Sequence, residues 1–209
     1  MKSSHGRHFA FVVVCTVFSS KAAVRYVNVN STNATLPFTT WSTAAMTIQD
    51  AIDAADPGDE ILVTNGVYQT GGRSINRVAV DKPLVVRSVN GPQFSVIEGR
   101  QVPAIRCVYL TNGASLLGFT LTNGATPSLY DVSQRVASGG AVWCESKDAV
   151  VANCVMVANS ARQQGGGAYQ GTLYSCTIVN NQVTDLLRCF NFWIDDVGDA
   201  EEYLLIGFH

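Results

Sequence analysis

The chain has little histidine, little charge and no long apolar run. Its three histidines are His5, His8 and His209, so none lies between residues 9 and 208. That removes a histidine-dependent catalytic triad, and no Cys/His spacing supplies a zinc site. Asp, Glu, Lys and Arg make up 14% of the 209 residues, with net charge −2. There is no basic surplus of the kind nucleic acid requires. The N-terminal apolar stretch Phe9–Phe18 is ten residues long, too short to cross a bilayer as a mature helix. It follows Lys2 and Arg7 and precedes Ser20-Lys21-Ala22, the layout of a secretory signal. Residues 1–22 are therefore expected to be a signal peptide. The mature chain is expected to be secreted, periplasmic or at the cell surface, without a transmembrane helix. Val14 stands before Cys15 where a lipid anchor needs a small residue.

Beyond the signal remain Cys107, Cys144, Cys154, Cys176 and Cys189. The odd number leaves at least one thiol free or bonded to another molecule. No pairing follows from sequence for the rest.

What the chain does have is repetition. Gly118-Phe119-Thr120-Leu121-Thr122-Asn123 returns as Asn153-Cys154-Val155-Met156-Val157-Ala158, and again as Ser175-Cys176-Thr177-Ile178-Val179-Asn180. The alternation has period two, in a β-branched run, which is a strand signal. Phe119/Leu121, Cys154/Met156 and Cys176/Ile178 are assigned to the interior. Cys154 and Cys176 then read as a stack of buried thiols. A unit this short cannot bury its own apolar face, so copies must stack. Residues 59–182 are expected to form about five coils. Asn123 and Asn180 share one repeat position, and Asn159 sits one residue off; they read as turn formers able to stack in an amide ladder.

The spacing is uneven. From Phe119 to Cys154 is 35 residues, against 22 from Cys154 to Cys176. Matching Gly139-Gly140-Ala141-Val142 to Gly166-Gly167-Ala168-Tyr169 puts one insertion near 125–138 and another near 144–150. Insertions in repeat proteins emerge as loops, often on the binding face. Tyr130, Asp131 and Arg135 sit on the first loop; Trp143, Glu145 and Lys147 sit beside the second. Tyr169 follows on the next coil. Aromatic rings beside polar groups suit sugar faces, which makes Tyr130, Trp143, Lys147 and Tyr169 candidates for glycan contact. The competing reading packs Trp143 on Tyr169, coil to coil.

Ahead of the repeats, Tyr26–Asn30 reads as a first strand within an N-terminal unit, 23–58. Thr47–Ala55 reads as a helix with Ile48, Ala51, Ile52 and Ala55 on one face and Gln49, Asp50 and Asp53 on the other. Thr47 caps it, and it is expected to close the end of the stack. Residues 183–209 break the pattern with an apolar, acidic sequence. They either fold over the last coil or mark the chain as part of a longer protein.

Three segments together, residues 48–68, 84–99 and 108–124, resemble the opening of right-handed parallel β-helix proteins of the pectate-lyase-like superfamily. The two Gly-Gly coils resemble bacterial surface β-helix proteins. The resemblance implies an all-β fold, a right-handed parallel β-helix with an N-terminal capping helix. It is specific for fold and poor for activity, since such proteins include lyases, hydrolases, esterases and adhesins. The hydrolases carry a Gly-His-Gly that this chain lacks. A lyase-like plan implies calcium-binding carboxylates and an arginine base. Asp131, Arg135, Glu145, Asp148 and Arg162 are the residues available for that role; no cofactor and no metal site are expected otherwise, and calcium is the one ion such a plan would use. The expected partner is a polysaccharide or cell-surface glycan. The alternative is a structural or adhesive rod without catalysis.

Overall fold

The computed structural model describes residues 22–127 and 133–184. Residues 1–21, which hold nearly all of the expected signal peptide, lie outside them, as do Tyr130, Asp131, Cys189 and nearly all of the C-terminal tail. The described chain is mostly short strands in parallel sheets, with few helices. It opens with β1 (Val24–Val27) and a 3-10 turn (Trp41–Thr43), followed by α1 (Ile48–Asp53). Then come β2 (Glu60–Val63), β3 (Gly66–Tyr68) and β4 (Asn76–Val80); β5 (Val85–Ser88), β6 (Ser95–Glu98) and β7 (Arg106–Leu110). Next are β8 (Ser115–Leu117), β9 (Thr120–Thr122), α2 (Gln134–Ala137) and β10 (Val142–Cys144). The last are β11 (Val150–Ala152), β12 (Val155–Val157), β13 (Ser160–Ala161), β14 (Ala168–Tyr169), β15 (Thr172–Tyr174), β16 (Thr177–Val179) and β17 (Gln182–Val183).

From β2 onward the chain visits three sheets in turn. The first has the order β1-β2-β5-β8-β11-β15, the second β3-β6-β9-β12-β16, and the third β4-β7-β10-β14. β13 and β17 form a small fourth pair. Every pairing of these strands is parallel. Residues that repeat in sequence therefore lie above one another, and their side chains stack in columns.

The columns follow the alternation. Leu121, Met156 and Ile178 are aligned in register on β9, β12 and β16. Phe119, Leu121, Cys154 and Met156 are at most 1% exposed. A fully buried side chain of this size stabilises by about 1.5–3 kcal/mol. Thr120, Thr122, Val155 and Val157 take the other face. The last copy departs from this pattern: Ile178 is 38% exposed, because β16 stands at the end of its sheet. Cys107, Cys144, Cys154 and Cys176 are free thiols. Burial pushes the first three up to about 12, which keeps them protonated.

Two expectations about asparagine and glycine need correction. Asn123, Ala158 and Asn180 all adopt left-handed backbone, with φ of 55°, 57° and 53°. The turn column is thus Asn/Ala/Asn, and the ladder lies one residue later. Asn159 Nδ2 donates to Asn181 Oδ1 at 2.8 Å and to the Leu121 carbonyl at 2.9 Å. Its Oδ1 accepts from the amide of Gly124 at 2.8 Å. Gly124 holds the matching place on the preceding repeat. A Cβ there would lie 2.3 Å from the Gly140 carbonyl and 2.9 Å from Asn159 Oδ1, so the close approach requires glycine.

The second correction is register. Val142 pairs with Ala168 and Trp143 with Tyr169. The Gly-Gly echo is therefore displaced by one residue from its sequence match. A one-residue shift exchanges the two faces of a strand, so Tyr169 stacks on Trp143 and not on Val142.

The first helix lies over the first strands. Thr47 caps α1 by accepting from the Asp50 amide at 3.1 Å. Ile48, Ala51 and Ile52 are buried, and α1 packs against β1, β2 and β4. Gln49, expected on the polar face, is 4% exposed. Its amide accepts from the Ala79 N–H at 2.8 Å and donates to Asp53 at 2.8 Å, which makes the burial tolerable. β1 begins at Val24, two residues earlier than expected, and pairs with β2 as the first strand of the first sheet.

Candidate functional site

The third sheet carries the densest group of candidate residues. Register alone aligns Ala79 (β4), Tyr109 (β7), Trp143 (β10) and Tyr169 (β14) in one column. Tyr109 and Trp143 stack with ring centroids 5.4 Å apart and planes 10° apart. Trp143 and Tyr169 follow at 6.1 Å and 16°. Parallel in-register strands place equivalent side chains in neighbouring layers, so flat rings meet face to face. Tyr109 and Trp143 are only 7% and 8% exposed, and Tyr169 is half-buried. The coil-to-coil packing of Trp143 on Tyr169 is thus present, extended by Tyr109, which the sequence reading did not include.

Polar groups gather over this column. The Arg135 guanidinium, on α2, lies 5.0 Å from the Tyr109 ring centre and 5.6 Å from that of Trp143, within reach of both π faces. Glu145, just past β10, turns back toward the end of β7. It accepts from Thr111 Oγ1 at 2.5 Å, from Tyr109 Oη at 3.0 Å and from the Asn112 amide at 3.4 Å. The Thr111 hydrogen bond is the main influence that holds its carboxyl below the ordinary range. Burial opposes this, while Tyr109, the Asn112 amide and the charge of Arg135 add to it. Tyr109 shifts the other way, raised by burial and by the Glu145 carboxylate. The Nε1 of Trp143 is buried and has no hydrogen-bond partner.

Of the sequence candidates, Arg135, Glu145, Trp143 and Tyr169 come together here. Asp148 and Lys147 are exposed in the β10–β11 turn. Their bonds in that turn are main-chain ones: the Lys147 carbonyl accepts from Thr172 and the Asp148 amide donates to Ser146. Arg162 follows β13, and its amide donates to Thr126 Oγ1. Tyr130 and Asp131 lie outside the described residues. Among the described residues no group of three or more His, Cys, Asp or Glu is poised to hold a metal ion. A separate hollow of about 370 Å³ lies beside α1, lined by Leu36, Phe38, Asp50, Asp53 and Ala54. Its Asp53 already accepts from Gln49 and from Arg73.

Sequence reading missed two participants. Tyr109 belongs to the column by register, and a single tyrosine in an apolar strand carries no signal of its partners. Arg106, buried beneath α2, has no periodic or motif signature either.

Comparison with protein-family models, curated proteins and solved structures returns no match for this chain. Among the described residues no helix is long and apolar enough to cross a membrane.

Proposed function

We propose that the chain is a right-handed parallel β-helix module of the pectate-lyase-like kind, exported from the cell and acting as a structural or adhesive surface rod without catalysis. Three sheets visited in rotation by parallel strands support the β-helix reading, and parallel crossovers of this type are right-handed almost without exception. One observation carries the functional reading: the aromatic side chains lie on one another and under Arg135. Trp143 stacks between Tyr109 and Tyr169, and Tyr109 lies between Trp143 and Ala79 in register. Glu145 is committed to Thr111, Tyr109 and the Asn112 amide. Groups so engaged hold successive layers together.

A second reading, glycan binding, is favoured by the gathering of Arg135 and Glu145 at the ring column of the third sheet, of which the half-buried Tyr169 is the last described ring, since aromatic rings beside polar groups suit a sugar's C–H and hydroxyl surfaces. A panel of neutral and acidic polysaccharides, with and without calcium, separates the two. Binding and new reducing or unsaturated ends are both measured. The rod reading expects neither. Binding that is lost in Tyr169→Ala would establish glycan recognition instead, and new chain ends would establish polysaccharide cleavage.

A further inference from the structure

Arg106 heads the largest fully buried side chains of the described residues, at 1% exposed, and among those residues no carboxylate pairs with it. Its donors all meet neutral oxygens. Nε donates to the Gly139 carbonyl at 2.8 Å. Nη2 donates to the carbonyls of Arg135 at 2.7 Å, Ser138 at 2.8 Å and Val136 at 3.3 Å. Nη1 donates to Asn76 Oδ1 at 2.7 Å, from the residue in register on β4. Four of these acceptors are the carbonyls at and just after the end of α2, the groups that a helix terminus leaves unpaired. The remaining carbonyl of that stretch, Ala137, accepts from Thr126 Oγ1 and from the Gln163 amide. Every carbonyl from 135 to 139 thus has a donor from elsewhere in the chain.

We propose that Arg106 is a positioning residue, a C-terminal cap supplied from β7 that fixes α2 and thereby holds the Arg135 guanidinium on the Tyr109–Trp143 rings. The partial negative charge of a helix C-terminus favours a cation there. A guanidinium fits because it offers five donors in a rigid fork, where an ammonium offers three from one point. Burial, and then the charge of Arg135, lower its pKa to about 10, so it stays charged at neutral pH. Nothing in this role depends on whether the ring column binds a glycan.

The test compares the full chain with Arg106→Lys. Amide hydrogen exchange is read at Val136 and Ala137, and the indole N–H resonance is read at Trp143. Loss of charge-assisted bonds is expected to speed exchange at Val136 and Ala137 by roughly tenfold or more. Exchange at Val108 and Val142 is expected to stay as it was. The Trp143 resonance is expected to move toward its position in Arg135→Gln. Unchanged exchange at Val136 and Ala137, an unmoved indole resonance, or an equal loss of protection at Val108 and Val142 would each overturn the proposal. Should Arg106→Lys fail to fold, Asn76→Ala removes one acceptor only. A smaller effect at the same two amides is expected, and no effect overturns the proposal.

Discussion

Asn159 is the residue on which most of the local order converges. Its side-chain amide joins three successive repeats, accepting from Gly124, donating to the Leu121 carbonyl and donating to Asn181. It is 1% exposed, and its bonds to the Gly124 amide and the Leu121 carbonyl are buried, so neither of those groups has water in reserve. Asn159→Ala leaves the Gly124 amide and the Leu121 carbonyl without that partner. The expected loss is about 2–3 kcal/mol, the cost of stranding buried polar groups, read from urea unfolding. Asn123→Ala is the contrast. Asn123 is a half-buried turn residue whose amide meets Glu98 at 3.2 Å, and its loss is expected to cost well under half as much. Equal losses would mean that the ladder contributes no more than the turn.

The same pair of residues shows where sequence stops being legible. Phe119, Leu121, Cys154 and Met156 were readable as interior because side-chain alternation reports burial directly. The asparagine pattern names Asn159 but does not separate the ladder from the turn position before it, because asparagine suits both roles and left-handed backbone at Ala158 gives no compositional hint. Arg106 is invisible for another reason: all but one of its acceptors are main-chain carbonyls, which every residue has, and the exception, Asn76, is set opposite it only by register.

At the scale of elements, the β10–β11 turn is fastened to β7 through Glu145. Its pKa is depressed in the folded chain, chiefly by Thr111, against the ordinary value of 4.5. The folded state therefore binds the proton more weakly than the unfolded state. The stability Glu145 contributes is complete above 4.5 and is lost as pH falls through the lower, folded value. Urea midpoints of the wild type and Glu145→Gln, followed from pH 7 to pH 3, are expected to differ most at neutral pH and to converge below 4.5. Parallel curves would show that the carboxylate's charge has no part in holding the turn. The insertions near 125–138 and 144–150 were legible as positions, since uneven repeat spacing locates extra residues. What they do was not legible: α2 and the Glu145 turn both fold back onto β7, a contact that no spacing encodes.

At the scale of the whole molecule, the two ends of the described residues differ. α1 buries Ile48, Ala51 and Ile52 against the first strands, whereas β14, β15 and β16 stand last in their sheets. In stacked repeats each layer contacts only its neighbours, so stability is a sum over layers and interfaces. The same substitution should then report the position of its layer. Met156 and Ile178 occupy one column in adjacent repeats, yet Met156 is 0% exposed and Ile178 is 38% exposed. Met156→Ala removes contacts on both sides and is expected to cost about 2–5 kcal/mol. Ile178→Ala removes contacts on one side of a half-open layer and is expected to cost about 1 kcal/mol or less. Native-state exchange should show the same gradient, with amides of β15 and β16 opening before those of β9 and β12. Equal costs at the two positions, together with uniform exchange, would mean that the last layer is covered as fully as the one before it.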